Sequence, residues 1–147
     1  MNAEKYLEQF EVLSRRIAYH REHLLMLHLE LDGLSSCWNR VSGGSGSGEA
    51  PYVRALENIE RKKRELVQEE DLLQRLRMQI EETVDRLPDE SMKQILLYRY
   101  LHGKNYVQIA DILFMGRLSV TRRKKRAMEL LEVPEDAIDI FSENSEN

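Results

Sequence analysis

The sequence predicts an all-α protein: a long antiparallel helical hairpin of the coiled-coil kind, followed by a small module of three short helices. Three observations carry this. In the N-terminal part, apolar side chains recur at alternating steps of three and four residues over more than four heptads, the spacing of a coiled-coil seam. After a Gly/Ser-rich break, a second stretch of similar length again places apolar residues every seven positions. Beyond Pro88 the helical segments become short and are punctuated by capping residues and glycines.

The first helix is expected from about Ala3 to about Asn39, on the order of 50 Å at the usual rise per residue. Its seam is Tyr6, Phe10, Leu13, Ile17, His20, Leu24, Leu27, Leu31 and Leu34, with Trp38 and Val41 keeping the spacing. Ser42-Gly43-Gly44-Ser45-Gly46-Ser47-Gly48 sustains neither helix nor strand, so residues 42–50 read as a flexible connector. Its monotony also suits an engineered scar. Pro51 then fits the first turn of a second helix.

Along that helix Ile59, Leu66, Leu73, Ile80 and Leu87 form the repeat, joined by Leu56, Leu76 and Val84, while Lys63, Glu70 and Arg77 interrupt the alternate seam positions. A fold-back centred near residue 45 makes the numbers of facing residues sum to about 90. Glu70 is then expected opposite His20, as a semi-buried polar pair that fixes register, and Lys63 opposite Leu27. A single hairpin leaves Leu25, Met26, Leu72 and Met78 uncovered. Self-association through residues 6–87 would cover them, so a homodimer is the first expectation and a higher homo-oligomer the second.

Pro88-Asp89-Glu90 should end the second long helix, with Asp89 capping a third whose inward face is Met92, Ile95, Leu96 and Tyr100 and which ends at Gly103. Asn105 with Gln108 three residues on is a capping-box arrangement that starts a short helix. Ile109, Ala110 and Leu113 face inward there, and Gly116 supplies the break before a last helix. At about 100 degrees per residue from Val120, Ala127 and Leu131 fall on the same side and Leu118, Thr121, Arg122 and Lys125 on the other. This capped helix, tight break and cation-rich second helix have the parts of a helix-turn-helix. The 88–131 module is near the lower limit for independent stability, so docking on the hairpin or dimerisation is expected to support it.

Composition bounds the function classes. No apolar run approaches the roughly 20 residues that cross a bilayer, and Met1-Asn2-Ala3-Glu4-Lys5 lacks a signal-peptide profile, so a cytoplasmic location is expected, without membrane contact. Cys37 is the only cysteine, which leaves neither an internal disulfide nor a metal knuckle, and His20, His23 and His28 lack a convincing fourth ligand. No Ser/His/Asp set, glycine-rich phosphate loop or paired acids stand together, so neither catalysis nor a cofactor is expected. The net charge of -4 conceals a strong asymmetry: residues 89–128 carry nine basic and three acidic side chains, whereas residues 129–147 carry no cation and seven acids. It is the local field of the basic segment that a phosphate backbone meets. Arg61-Lys62-Lys63-Arg64 is a second basic run, but Glu57, Glu60 and Glu65 make it a helix surface with i,i+4 partners.

Arg99-Tyr100-x-x-Gly103, Ile109-Ala110-x-x-Leu113, Val120 and Arg126-Ala127 together resemble region four of the major bacterial sigma factors, a helix-turn-helix that reads promoter DNA. With the long N-terminal helical region and its Gly/Ser interruption, the whole chain resembles the ArpU/RinA-type phage late-gene transcriptional regulators. Phe114 departs from the sigma pattern where a turn glycine is usual, and Gly116 where a Ser cap is usual, so the resemblance does not fix the turn. By helical phase and by the resemblance, Arg117, Leu118, Thr121 and Arg122 are the candidates for base edges in the major groove of double-stranded DNA. Arg123, Lys125 and Arg126 are assigned to phosphates, with Lys124 covering its neighbours by its stem. The first amides of the shorter helix, beside Lys104 and Tyr106, are a further phosphate candidate.

The function expected is a sequence-specific DNA-binding regulator, and the resemblance implies phage late-gene activation in a bacterial host, with the host RNA polymerase as a further partner. A phage small terminase subunit, which joins a helix-turn-helix to ring-forming helices, is one alternative; a polymerase-binding adaptor without DNA readout is another. The acidic segment 132–147 reads as a solvated, partly disordered tail. Its sharper alternatives are carboxylates that compete with DNA for the last helix, or Ile138, Ile140 and Phe141 docking on a polymerase subunit.

Overall fold

The computed structural model describes residues 1–40 and 49–142, with side chains at 1–34 and 50–142. The side chains of Cys37 and of the seam position Trp38, together with Val41, the run 42–48 and the final residues 143–147, lie outside what is described. Among the described residues the chain is all-α, as expected: α1 (Ala3–Arg40), α2 (Glu49–Asp85), α3 (Glu90–Tyr100), α4 (Tyr106–Leu113) and α5 (Arg117–Leu130). Glu49 and Ala50, expected in the connector, already belong to α2, with Pro51 inside its first turn. The chain forms two compact units, Arg15–Asp71 and Met1–Ser14 with Leu72–Asn147, so the boundary expected at residue 87 falls inside the second of them.

In the Arg15–Asp71 unit, Ile17 and Ile59 are buried and Leu24, Leu27, Leu31, Leu34 and Leu66 half-buried, the stripe the seam requires. The polar pair differs from expectation by one position. His20 Nδ1 lies 3.1 Å from a carboxylate oxygen of Glu69. Glu70 instead accepts from Arg21 Nη2 at 2.9 Å. Consecutive helical residues point about 100 degrees apart, and it is Glu69, the more buried carboxylate, that turns toward the seam.

In the second unit the base of the hairpin and the three short helices share their interior. Tyr6, Leu7, Phe10 and Leu13 of α1 are buried, as are Leu76, Ile80 and Val84 of α2, Leu87 beyond it, and Ile95 and Leu96 of α3. α2 stops at Asp85, three residues before Pro88, because a residue preceding proline is pushed out of the helical region. Asp89 caps α3, accepting from Ser91 N at 3.1 Å and from Ser91 Oγ at 2.7 Å. Gly103 at φ 64 closes the other end, where Lys104 N donates to Tyr98 O at 2.9 Å. The expected capping box is present: Gln108 N donates to Asn105 Oδ1 at 2.8 Å and Asn105 N to Gln108 Oε1 at 2.9 Å.

The break after α4 is made by a different residue from the one expected. Gly116 is extended, at φ -71 and ψ 149, and serves only as the N-cap of α5. Phe114 takes the left-handed turn, at φ 54 and ψ 46, and Met115 N behind it donates to Ala110 O at 2.9 Å. Leu113 and Met115 both pack on the cluster of Ile95, Ile109, Ala110 and Val120.

The acidic segment is not a free tail over its described length. Ile140 is 2% exposed. Gln9 Nε2 donates to Ile138 O at 2.9 Å, and Ile140 N donates to Gln9 Oε1 at 2.8 Å. Gln79 does the same one step earlier, donating to Asp136 O at 3.2 Å and accepting from Ile138 N at 3.0 Å. Two side-chain amides thus satisfy the backbone of a strap over residues 136–140 as a neighbouring strand would, which a solvated chain would leave to water. Tyr6 braces the arrangement, donating to Gln79 Oε1 at 3.0 Å.

Candidate nucleic-acid interface

α5 is held by what lies beneath it. Val120 and Ala127 are fully buried, and Leu131 just beyond the helix is nearly so, which fixes the rotation of the helix about its axis. Arg117, Leu118, Thr121, Arg122, Lys125 and Arg126 are all exposed, with Leu118, Thr121, Arg122 and Lys125 on the side away from Val120. Thr121 Oγ1 donates back to Arg117 O at 3.0 Å and keeps its lone pairs free to accept. Arg126 reaches Glu129 at 3.2 Å, but both are exposed, so a competing phosphate can displace the pair.

Three of the sequence-predicted residues are engaged elsewhere. Arg123 is half-buried, and its Nη1 donates to Ser91 Oγ at 2.7 Å. The bonds from Ser91, first by its hydroxyl and then by its amide, hold the Asp89 carboxyl below the usual carboxylate range, with Arg123 adding a smaller pull. Arg123 therefore ties α5 to the cap of α3 and is not held out for phosphate. Tyr106 is half-buried beneath the Arg99 guanidinium, 5.4 Å from its ring centre. The Lys104 amide is spent on closing α3, and the capping box already occupies the Asn105 and Gln108 amides at the start of α4. Six of the nine candidates thus stand exposed on α5, while Arg123, Tyr106 and Lys104 are half-buried.

Lys124 is half-buried, with Tyr100 and Tyr106 as its electrostatic neighbours. Burial of its ammonium opposes the charge, but attraction to Tyr100 and Tyr106 outweighs it and raises its pKa. An open groove of about 580 Å³ runs between the first turn of α1, at Asn2, Ala3 and Glu4, and the α5 residues Thr121, Lys124, Lys125 and Met128.

One residue of this surface was missed as a candidate. Phe114 is 96% exposed at the turn that leads into α5. Its signal in the sequence was the aromatic ring standing where a turn glycine is usual.

No metal-binding group of three or more His, Cys, Asp or Glu occurs among the described residues, and no described helix is long and apolar enough to cross a membrane. Comparison with protein families, characterised proteins and solved structures gives no match to this chain.

Proposed function

We propose that the protein is a sequence-specific, double-stranded-DNA-binding transcriptional regulator that acts as a homodimer. The observation that supports it is the outward face of α5: Arg117, Leu118, Thr121, Arg122, Lys125 and Arg126 stand exposed on a helix whose other side is locked into a core. No acid occurs from Arg117 to Arg126. A helix of this kind fits the major groove, with donors for base edges at its start and cations for phosphates further along. The resemblance to sigma region four and to ArpU/RinA-type regulators gives the reading its setting: activation of phage late genes in the cytoplasm of a bacterial host, in contact with the host RNA polymerase.

The test is binding of full-length protein to selected duplex DNA across a salt series. Log affinity is expected to fall linearly with log salt, by a slope of about 0.9 per phosphate neutralised. Arg122→Ala should lose about 1–3 kcal/mol and relax specificity at one base position, while Arg126→Ala weakens all sequences alike and lowers the slope by about one. Arg123→Ala should lower thermal stability and leave the slope alone, because its partner is Ser91. Binding that ignores both salt and Arg122→Ala would remove the reading. Light scattering that found a ring of eight or more copies would favour packaging over transcription.

A further inference from the structure

Phe114 combines two unfavourable features. A phenylalanine at φ 54 holds a backbone conformation that L side chains avoid, and its ring is left almost wholly in water. Leu113 and Met115 on either side are turned onto the core, and the left-handed backbone between them sends the intervening ring outward. Nothing in the fold uses it.

What surrounds it indicates what does. Four residues on, at the start of α5, Leu118 is a second large apolar side chain left mostly exposed, at 64%, and Ile112 just before the turn is partly so, at 40%. The stretch from Phe114 to Arg122 also carries Arg117 and Arg122, both exposed, and no acid. Apolar surface framed by free cations has poor complementarity to an apolar protein partner, because the arginines would be desolvated without anions. It suits a surface that is anionic at its rim and apolar at points within. The major groove is such a surface: phosphates line its edges, and the thymine 5-methyl is the apolar group on its floor.

The geometry points to Phe114, together with Leu118, as a reader of thymine methyl groups in the bound duplex, an inference that rests on the DNA-binding reading above. Arg117 and Arg122 supply hydrogen bonds to base edges or phosphates, and the ring adds apolar contact that distinguishes thymine from cytosine at the same step. The turn conformation that exposes the ring is thereby accounted for by recognition.

Deoxyuridine removes the methyl and nothing else. A duplex is selected from a random pool with the full-length protein, and each thymine of the selected site is replaced in turn by deoxyuridine. For the wild-type chain, one such replacement is expected to weaken binding about fourfold, the equivalent of roughly 0.8 kcal/mol for one buried methyl. Phe114→Ala should bind the thymine duplex more weakly by at least that factor and be indifferent to the same replacement. Phe114→Gly separates recognition from folding: it should show the same loss of discrimination with an unchanged or higher Tm. If the selected duplex binds but Phe114→Ala responds to deoxyuridine as the wild type does, the proposal is wrong while the DNA reading stands, and the ring belongs to a protein contact. If no duplex is selected, both fail.

Discussion

Each cation of α5 is defined by what its side chain meets, and Lys124 is the clearest case. It is one of the six cations between Arg117 and Arg126, yet it is half-buried and its charge is favoured by Tyr100 and Tyr106. Tyr100 is shifted in the same direction as Lys124, upward, chiefly by burial and in spite of the nearby ammonium. Both groups hold their protons more tightly in the folded chain than in the unfolded one. Their contribution to stability is therefore complete below the unfolded values, about 10 for tyrosine and about 10.4 for lysine, and is lost as pH rises through the raised folded values. Thermal melts of the wild type are expected to fall steeply above about pH 10. Paired substitution of Tyr100→Phe and Lys124→Met should flatten that limb, and equal slopes in the two proteins would show that the cluster carries no linkage. Arg123 teaches the same lesson with a different partner, since its bond to Ser91 makes it a structural cation within a basic run.

Among the elements, those built from local contacts were legible in the sequence and those built from distant ones were not. The seam, the Asp89 cap and the Asn105–Gln108 box are written in spacings of two to seven residues, and each is found. The acidic strap is held by partners 129 and 131 residues away at Gln9 and 57 and 59 away at Gln79, and a glutamine on a helix carries no local mark of such a role. Composition alone therefore suggested a solvated tail where Ile140 is in fact buried. Glu69 in place of Glu70 is a milder failure, since a fold-back centre read from the connector sets the facing residue only to within one position. Phe114 was visible as a departure from a glycine position, but its left-handed backbone was not. The strap can be tested directly. Gln79→Ala removes the acceptor of Ile138 N and the donor to Asp136 O, and is expected to destabilise by about 1–3 kcal/mol. Amide exchange at Ile138 should accelerate more than at the α3–α5 core. Gln79→Glu, which keeps the acceptor, should preserve the Ile138 amide better than alanine does. Unchanged exchange at Ile138 in the alanine variant would mean that the strap holds without the clamp.

For the whole molecule, the proposed DNA-reading role raises the question of how so small a unit would reach useful affinity. A module with six exposed side chains on one helix would make few contacts, and two such modules joined in one particle would gain through effective concentration what neither has alone. The Arg15–Asp71 unit offers a means of joining them. Tyr19, Leu25, Met26 and Leu29 on α1 and Val67 on α2 are all exposed there, with Tyr19 at 65%. Burying these side chains against a second copy would complete a four-helix arrangement. The side-chain faces expected to be uncovered at Leu25, Met26 and Met78 are indeed exposed, while Leu72 is half-buried. We predict that Leu25→Glu with Leu29→Glu converts a dimer, as measured by light scattering, into a monomer that remains helical. On a duplex carrying two half-sites, the monomer should bind more weakly by a factor of about 10² or more. On a duplex with a single half-site, wild type and variant should bind alike, because α5 is untouched. A monomeric wild-type chain, or a variant that loses affinity equally on both duplexes, would mean that the hairpin does not act by pairing two readers.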